Sequence, residues 1–290
     1  MDPQISKAEQ SPSRRALEYR EQGFLVERGL FSAEEARALG EVFTAMHAQG
    51  GVPGRYAPHK PGEDFDDKFH YVFKAGDPLH VWPRVMWPHA FIPEAKKFVL
   101  DARIFDLLEE VLGEEALSIS SMFYFKPPKA KGQAFHQDNF YIRVKPGTCI
   151  AVWVACEDSD EGNGALQVVP GSQSLEIACP EISDSTRYFA KELVRPPEGM
   201  TAVMPRLKAG DALVFHGNLI HGSEPNNSED RFRRSLVCHY MPVSSVAINR
   251  YDDPLLDRHG NPHRRAEAEG GGPCGNLHDD GKRGERSTPQ

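Results

Sequence analysis

At 290 residues, with 39% hydrophobic and 26% charged side chains, the chain can bury a sizeable core and has the composition of a soluble globular protein. Its formal net charge of −8 gives no global attraction to nucleic acid or to an anionic membrane. No apolar run approaches the roughly 18 residues a membrane span needs, and the N-terminal stretch MDPQISKAEQSPSRR has no apolar centre of the kind a secretion signal carries.

Residues 1–15 read as a loose leader. A helix is predicted to end near Gly23 and to feed a short strand around Phe24–Val26. Ser32-Ala33-Glu34-Glu35 has the form of a capping box, with Ser32 as N-cap and Glu35 three residues on. Behind it, Ala36, Leu39, Val42, Phe43 and Met46 recur at helical spacing up to about Gln49. Residues 50–68 are rich in Gly, Pro and Asp and read as a long loop. Between Pro93 and Gly113 the apolar positions Phe98, Val99, Ile104, Leu108 and Val111 predict one or two helices closed by Gly113.

After residue 116 the period changes. LSISSMFYF (117–125), AFHQDNFYI (134–142), CIAVWVAC (149–156) and ALQVVP (165–170) are short, β-prone runs separated by turn formers such as Pro127-Pro128, Pro146-Gly147 and Gly162-Asn163-Gly164. A helical interlude is expected over residues 185–193, with strands resuming at 201–207, 211–217 and 233–241. Short strands at this spacing predict a mainly β fold, an antiparallel sandwich or barrel with flanking helices from the N-terminal third. From about residue 258 the chain has no Phe, Tyr or Trp and much Gly and charge, and reads as a flexible tail to 290. Five cysteines (Cys149, Cys156, Cys179, Cys238, Cys274), odd in number and without CxxC spacing, argue against a disulfide framework or a cysteine zinc site. A reducing, cytoplasmic location is expected.

The chemistry-bearing residues begin in AFHQDNFYI. On a continuous strand His136 and Asp138, two apart, share one face, and two buried polar groups there need a partner. A metal ion is one such partner; a hydrogen-bonded core pair is another. A lone His-x-Asp is weak evidence, since with twelve histidines chance supplies one in about every second such chain. The segment GDALVFHGNLIHGSEPNNSEDRFRRSL (210–236) offers a third ligand, His221, and a cation, Arg233. Two histidines and one carboxylate form the facial set that holds Fe(II) and leaves positions open for an α-keto acid and dioxygen. A dicarboxylate cosubstrate then needs a cation for its far end, which the planar fork of arginine fits. His216 competes with His221 as the third ligand. Their odd spacing would put them on opposite faces of a continuous strand, so only one should face the metal. His239 reads as a satisfied structural histidine.

The stretches KGQAFHQDNFY (131–141), GNGALQVVPGSQ (162–173), GDALVFHGNLIHGSEPNNS (210–228) and FRRSLVCHY (232–240) together resemble the phytanoyl-CoA dioxygenase family of Fe(II)/2-oxoglutarate oxygenases, over roughly residues 20–242. The resemblance implies a double-stranded β-helix (a jelly roll, cupin-like) at about 116–242 within one oxygenase domain, 16–257. It also implies His136, Asp138 and His221 as iron ligands. It implies Arg233 as anchor for the distal carboxylate of 2-oxoglutarate, Ser223 as a helper, and Trp153 packed against that cosubstrate. The segment between His221 and the arginine pair is about one residue longer than usual, which leaves Arg234 a rival of Arg233. Ser223 has the alternative of capping a turn, and Trp153 that of plain core.

The expected activity is oxidation of a C–H bond of a small molecule by dioxygen, with release of succinate and CO2. Halogenases of the wider superfamily carry a small residue in place of the carboxylate, so Asp138 argues for hydroxylation. The rival is a non-redox metal enzyme, an isomerase or hydrolase, on the same barrel. Gln133, Asn139, Tyr141 and Arg143 hint at a polar or anionic substrate. The cluster Lys126, Lys129, Lys131, Arg143 and Lys145 is either a steering patch or a solvated loop. Residues 50–68 and 70–92, with Tyr71, Phe73, Trp82, Trp87 and His89, are candidates for a lid.

Overall fold

The computed structural model describes residues 11–52, 55, 84–249 and 254–268. Helix α1 (Arg14–Gln22) starts where the Ser13 hydroxyl accepts from the Ala16 N–H and stops at Gly23, whose φ of 80° only glycine takes without strain. The chain enters β1 (Phe24–Glu27) and then α2 (Ala33–Ala48), which opens with the reciprocal Ser32–Glu35 capping box. Beyond β2 (Arg84–Met86) come α3 (Pro93–Val99) and α4 (Ala102–Leu112), the latter capped by Asp101 and closed at Gly113.

The β region runs β3 (Ala116–Tyr124), β4 (Gln133–His136), the single turn α5 (Asn139–Ile142), β5 (Ile150–Ala155) and β6 (Leu166–Val168). It continues with β7 (Glu181–Ile182), β8 (Glu192–Leu193), β9 (Ala212–His216), β10 (His221–Ser223) and β11 (Ser235–Pro242). The short strands β12 (Ala247–Ile248), β13 (Leu255–Leu256), β14 (Pro262–His263) and β15 (Ala266–Glu267) complete it.

One sheet is ordered β1-β9-β5-β11-β3-β13-β14, with β2 also on β3; a second is ordered β4-β10-β6. Side-chain alternation explains how the large sheet serves two cores. Along β5, Ile150, Val152 and Val154 join Leu39, Phe43, Ile104 and Leu108 of the helices. Ala151, Trp153 and Ala155 face the other way, toward Val168 of the small sheet, with Leu213, Phe215 and Val237 beside them. Buried on both faces, β5 is apolar at every position. Each large side chain so buried stabilises the fold by roughly 1.5–3 kcal/mol. The small sheet closes over the inner face as a jelly roll. Its strands approach so closely that a Cβ on Gly222 would lie 2.9 Å from the Gln133 carbonyl oxygen and 2.9 Å from the Phe135 nitrogen.

Five expectations change. The run 134–142 is not one strand: β4 ends at His136, Asp138 is already in the α region (φ −61°, ψ −37°), and α5 follows. Residues 201–207 make only isolated bridges, Val203 to Val168 and Leu207 to Ser159, because Pro205 removes a ladder donor. Residues 185–193 form a turn leading into β8 rather than a helix. The expected tail returns to the fold, β14 pairing with β13 and β15 with β12; residues 269–290 lie outside the described residues. The leader through residue 10, most of the 50–68 loop and the lid aromatics Tyr71, Phe73 and Trp82 also lie outside them. Trp87 and His89 are described, and the His89 ring bonds to the Ser121 hydroxyl at 2.6 Å. Cys149, Cys156 and Cys238 are free and buried, whereas Cys179 is disulfide-bonded, a departure from a chain of free thiols. Among the described residues no helix is long and apolar enough to cross a membrane.

Candidate active site

His136 ends β4 and His221 opens β10, and these two residues are directly paired across the antiparallel ladder. Their rings lie 4.2 Å apart. The tight turn after β4 brings Asp138 back to them, with Oδ1 3.4 Å from His136 Nε2 and 3.6 Å from His221 Nε2. Strand alternation does not produce this convergence. Gln137, between the two, turns away and ties down the turn: its Nε2 donates to the Asn218 carbonyl at 2.8 Å, and its Oε1 accepts from Ala178 N–H.

Both imidazoles have a fixed tautomer. His136 Nδ1 sits 2.9 Å from its own-strand Ala134 carbonyl, and His221 Nδ1 2.9 Å from Leu219 carbonyl. A carbonyl only accepts, so each Nδ1 carries the proton and each Nε2 turns an unprotonated lone pair toward Asp138. Burial depresses the His221 imidazole to about 4, so it stays neutral. Burial pushes the Asp138 carboxyl up, but the surrounding histidines, His221 and His239 foremost, outweigh it and hold the group well below the usual carboxylate range. Two neutral lone pairs and one carboxylate oxygen, all within 4.8 Å of one another, repel unless a cation sits among them. Ligands each about 2.1 Å from one ion lie roughly 3–3.5 Å apart, so the set fits a single metal ion. Histidine nitrogen and carboxylate oxygen suit iron.

The second carboxylate oxygen is engaged elsewhere. His239, on β11, lies with Nε2 3.1 Å from Asp138 Oδ2 and with Nδ1 3.2 Å from the Ser120 hydroxyl. Ser120 donates to His239, which donates to Oδ2, leaving Oδ1 for the metal. His239 is thus a satisfied histidine, as its sequence suggests, but what satisfies it is the candidate ligand carboxylate. No spacing in the sequence signals that contact; it arises from the inward phase of β11. His216 is no rival to His221: it ends β9, its Nδ1 accepts from Asn218 N–H at 3.1 Å, and its ring faces Tyr19.

Strand entry also separates the two arginines. Arg233 is buried, its guanidinium 5.2 Å from the Trp153 ring, and no hydrogen bond or ion pair from the guanidinium is found among the described residues; its Nε is fully buried and unpartnered. Burial lowers it to about 10. Arg234 points to the opposite face, where Glu157, Glu41 and Thr44 hold it. A buried, uncompensated guanidinium costs several kcal/mol unless an anion joins it. Ser223, next along β10 on the side of His221, accepts from Lys126 Nζ and from Gln133 N–H. Gln133 Nε2 lies 3.1 Å from His136 Nε2, and the Tyr141 ring is 6.4 Å from that imidazole. Asn139 caps Val144 N–H instead. Of the basic cluster only Lys126 is buried; Lys129, paired with Glu229, Lys131, bonded to the Ser185 carbonyl, and Lys145 are exposed.

The model of the phytanoyl-CoA dioxygenase family matches residues 19–235. The chain is 34% identical over 150 residues to phytanoyl-CoA dioxygenase 1 of Oryza sativa subsp. japonica, a match covering 48% of this chain and 50% of that relative. It therefore spans about half the length of that protein. It is 27% identical over 239 residues to a probable alpha-ketoglutarate-dependent hypophosphite dioxygenase of Stutzerimonas stutzeri, covering 79% of this chain and 78% of the relative. Among solved structures, the epimerase SnoN in complex with Fe3+, alpha ketoglutarate and nogalamycin RO is similar in fold, with a TM-score of 0.60 at 24% identity, over 80% of this chain and 84% of that one.

Proposed function

The chain belongs to the phytanoyl-CoA dioxygenase family of Fe(II)- and 2-oxoglutarate-dependent oxygenases, and we propose that it hydroxylates a C–H bond of a small polar or anionic molecule. The carrying observation is the pairing of two incomplete sites. Three converging lone pairs suit one cation, and the buried Arg233 on the inner face, its Nε unpartnered among the described residues, suits an anion. Fe(II) answers the first and the far carboxylate of 2-oxoglutarate the second.

His136, His221 and Asp138 Oδ1 would hold the iron, with their orientation set by the Ala134 and Leu219 carbonyls and by His239. Arg233, backed by the Trp153 ring, pairs with the distal carboxylate, and Ser223 adds a hydroxyl donor. Iron and 2-oxoglutarate together supply oxidation of an unactivated C–H bond by dioxygen, with succinate and CO2 as coproducts. Leu213, Phe215, Leu219 and Val237 surround the inner face and keep water from it. Asp138 fills a ligand position with carboxylate, which supports hydroxylation over halogenation. Gln133 and Tyr141, beside His136, are suited to orient a polar substrate, and an oxygenase of a small phosphorus acid among the relatives supports that class. The extent of the oxygenase domain proposed here is residues 14–268, since β14 and β15 are paired into the fold.

The test is anaerobic. Fe(II) followed by 2-oxoglutarate should give a weak visible charge-transfer band, lost in His136→Ala and weakened in Arg233→Ala. Iron that binds with no band on adding 2-oxoglutarate would refute the proposal.

A further inference from the structure

Lys126 is a buried lysine that the iron chemistry and the Arg233 anchor leave unused. It is 2% exposed, and its backbone sits at φ 38°, the left-handed region that turns the side chain inward after β3. Its Nζ donates to Ser223 Oγ at 2.9 Å and to the Glu224 carbonyl at 2.5 Å. Its own carbonyl accepts from Arg233 N–H at 3.1 Å and from Asn226 Nδ2 at 3.0 Å, so the two cations share one tightly bonded piece of backbone. Gly164 keeps room for the lysine stem, since a Cβ there would lie 2.9 Å from Lys126 Cε.

A hydroxyl has one proton and two acceptor lone pairs. Lys126 Nζ takes one lone pair of Ser223 and Gln133 N–H, at 3.4 Å, takes the other. The Ser223 proton is then left to donate, and no acceptor for it exists among the described residues. The Glu224 carboxylate offsets the lysine charge only in part, being turned to Arg187 and Tyr188. We propose that Lys126 is a positioning residue for the distal carboxylate of the keto-acid cosubstrate, fixing the Ser223 hydroxyl as a donor and placing a second cation beside Arg233. This rests on the 2-oxoglutarate reading above. Burial, and then the like charge of Arg233, hold the Lys126 ammonium well below its ordinary range, a cost that an arriving anion relieves.

Lys126→Met keeps the length of the stem and removes the charge and the donor. The Fe(II)-loaded protein is titrated anaerobically with 2-oxoglutarate and with 2-oxovalerate, which has the same keto-acid end and a methyl group in place of the distal carboxylate. Lys126→Met should weaken 2-oxoglutarate at least tenfold and leave 2-oxovalerate within about twofold. In a Ser223→Ala background the loss should become smaller, since only the charge beside Arg233 then remains to be removed. Equal weakening of both keto acids, or none for 2-oxoglutarate, overturns the proposal. Should Lys126→Met fail to fold, Lys126→Gln keeps a donor to Ser223 and should give a smaller loss still confined to 2-oxoglutarate; equal losses there overturn it as well. Wild-type protein that binds 2-oxoglutarate no tighter than 2-oxovalerate removes the premise, and the proposal with it, which separates the two failures.

Discussion

Replacing His239 by leucine should loosen metal binding in a protein that still folds. His239 Nε2 lies 3.1 Å from Asp138 Oδ2, inside the jelly roll, and its Nδ1 is bonded to Ser120. Removing the imidazole deprives a buried carboxylate of one charge-assisted hydrogen bond, worth about 1.5–3 kcal/mol. It also strands the Ser120 hydroxyl, for about 1–3 kcal/mol. The serine term is the same with and without metal, so it lowers stability but cancels from metal affinity. The carboxylate term does not cancel, because Oδ2 becomes free to swing toward the ion and Oδ1 loses its fixed direction. Partners of this kind typically change affinity by about 10–100-fold. Anaerobic calorimetry with Fe(II), or the visible spectrum with Co(II) as a probe, reads this directly. His239→Gln retains an N–H near the same place and should recover most of the affinity. A folded His239→Leu protein that binds metal within about threefold of wild type would refute the reasoning.

Other outcomes follow from the same geometry. Arg233→Ala should raise the dissociation constant for 2-oxoglutarate by about 30–1000-fold, the value of a buried charge-assisted pair of roughly 2–4 kcal/mol. Arg234→Ala, which breaks bonds to Glu157, Glu41 and Thr44 on the far face, should leave that constant within about threefold and lower the melting temperature instead. Gly222→Ala forces a Cβ to 2.9 Å from the Gln133 carbonyl; it should destabilise the protein by about 1–3 kcal/mol in denaturant titration and weaken metal binding by displacing His221. Gln133→Leu should raise KM for the polar substrate at unchanged 2-oxoglutarate affinity, and an equal rise in both would contradict its placement at the substrate side of His136.

The parts of the fold that were legible in the sequence are those with local signals. The Ser32–Glu35 box, the glycines at 23 and 113 and the doubly buried run 150–155 each have a cap, a stop or a continuous apolar pattern that survives without tertiary context. Two-residue strands such as β7, β8, β14 and β15 have too few positions to show any period, and so the return of residues 258–268 was hidden. The candidate ligands were legible for a partly mistaken reason. His136 and Asp138 meet through a turn held by Gln137, not through alternation on one strand. The contact of His239 with Asp138 depends on the register of β11 against β5 and β3, which is a long-range property. Lys126 looked like one of several surface lysines because nothing local announces a positive φ at a lysine. Adjacent arginines could not be separated until the strand phase was known, after which one faces Trp153 and the other Glu157.

The central claim, that this chain couples 2-oxoglutarate to oxidation by dioxygen, is tested most directly by following the fate of 2-oxoglutarate itself. The aerobic protein with Fe(II) should convert it to succinate in equal amount, slowly without substrate and faster with one, and Asp138→Ala should abolish the conversion. Metal-dependent turnover of a substrate with 2-oxoglutarate left intact would contradict it and favour an isomerase or hydrolase on the same barrel.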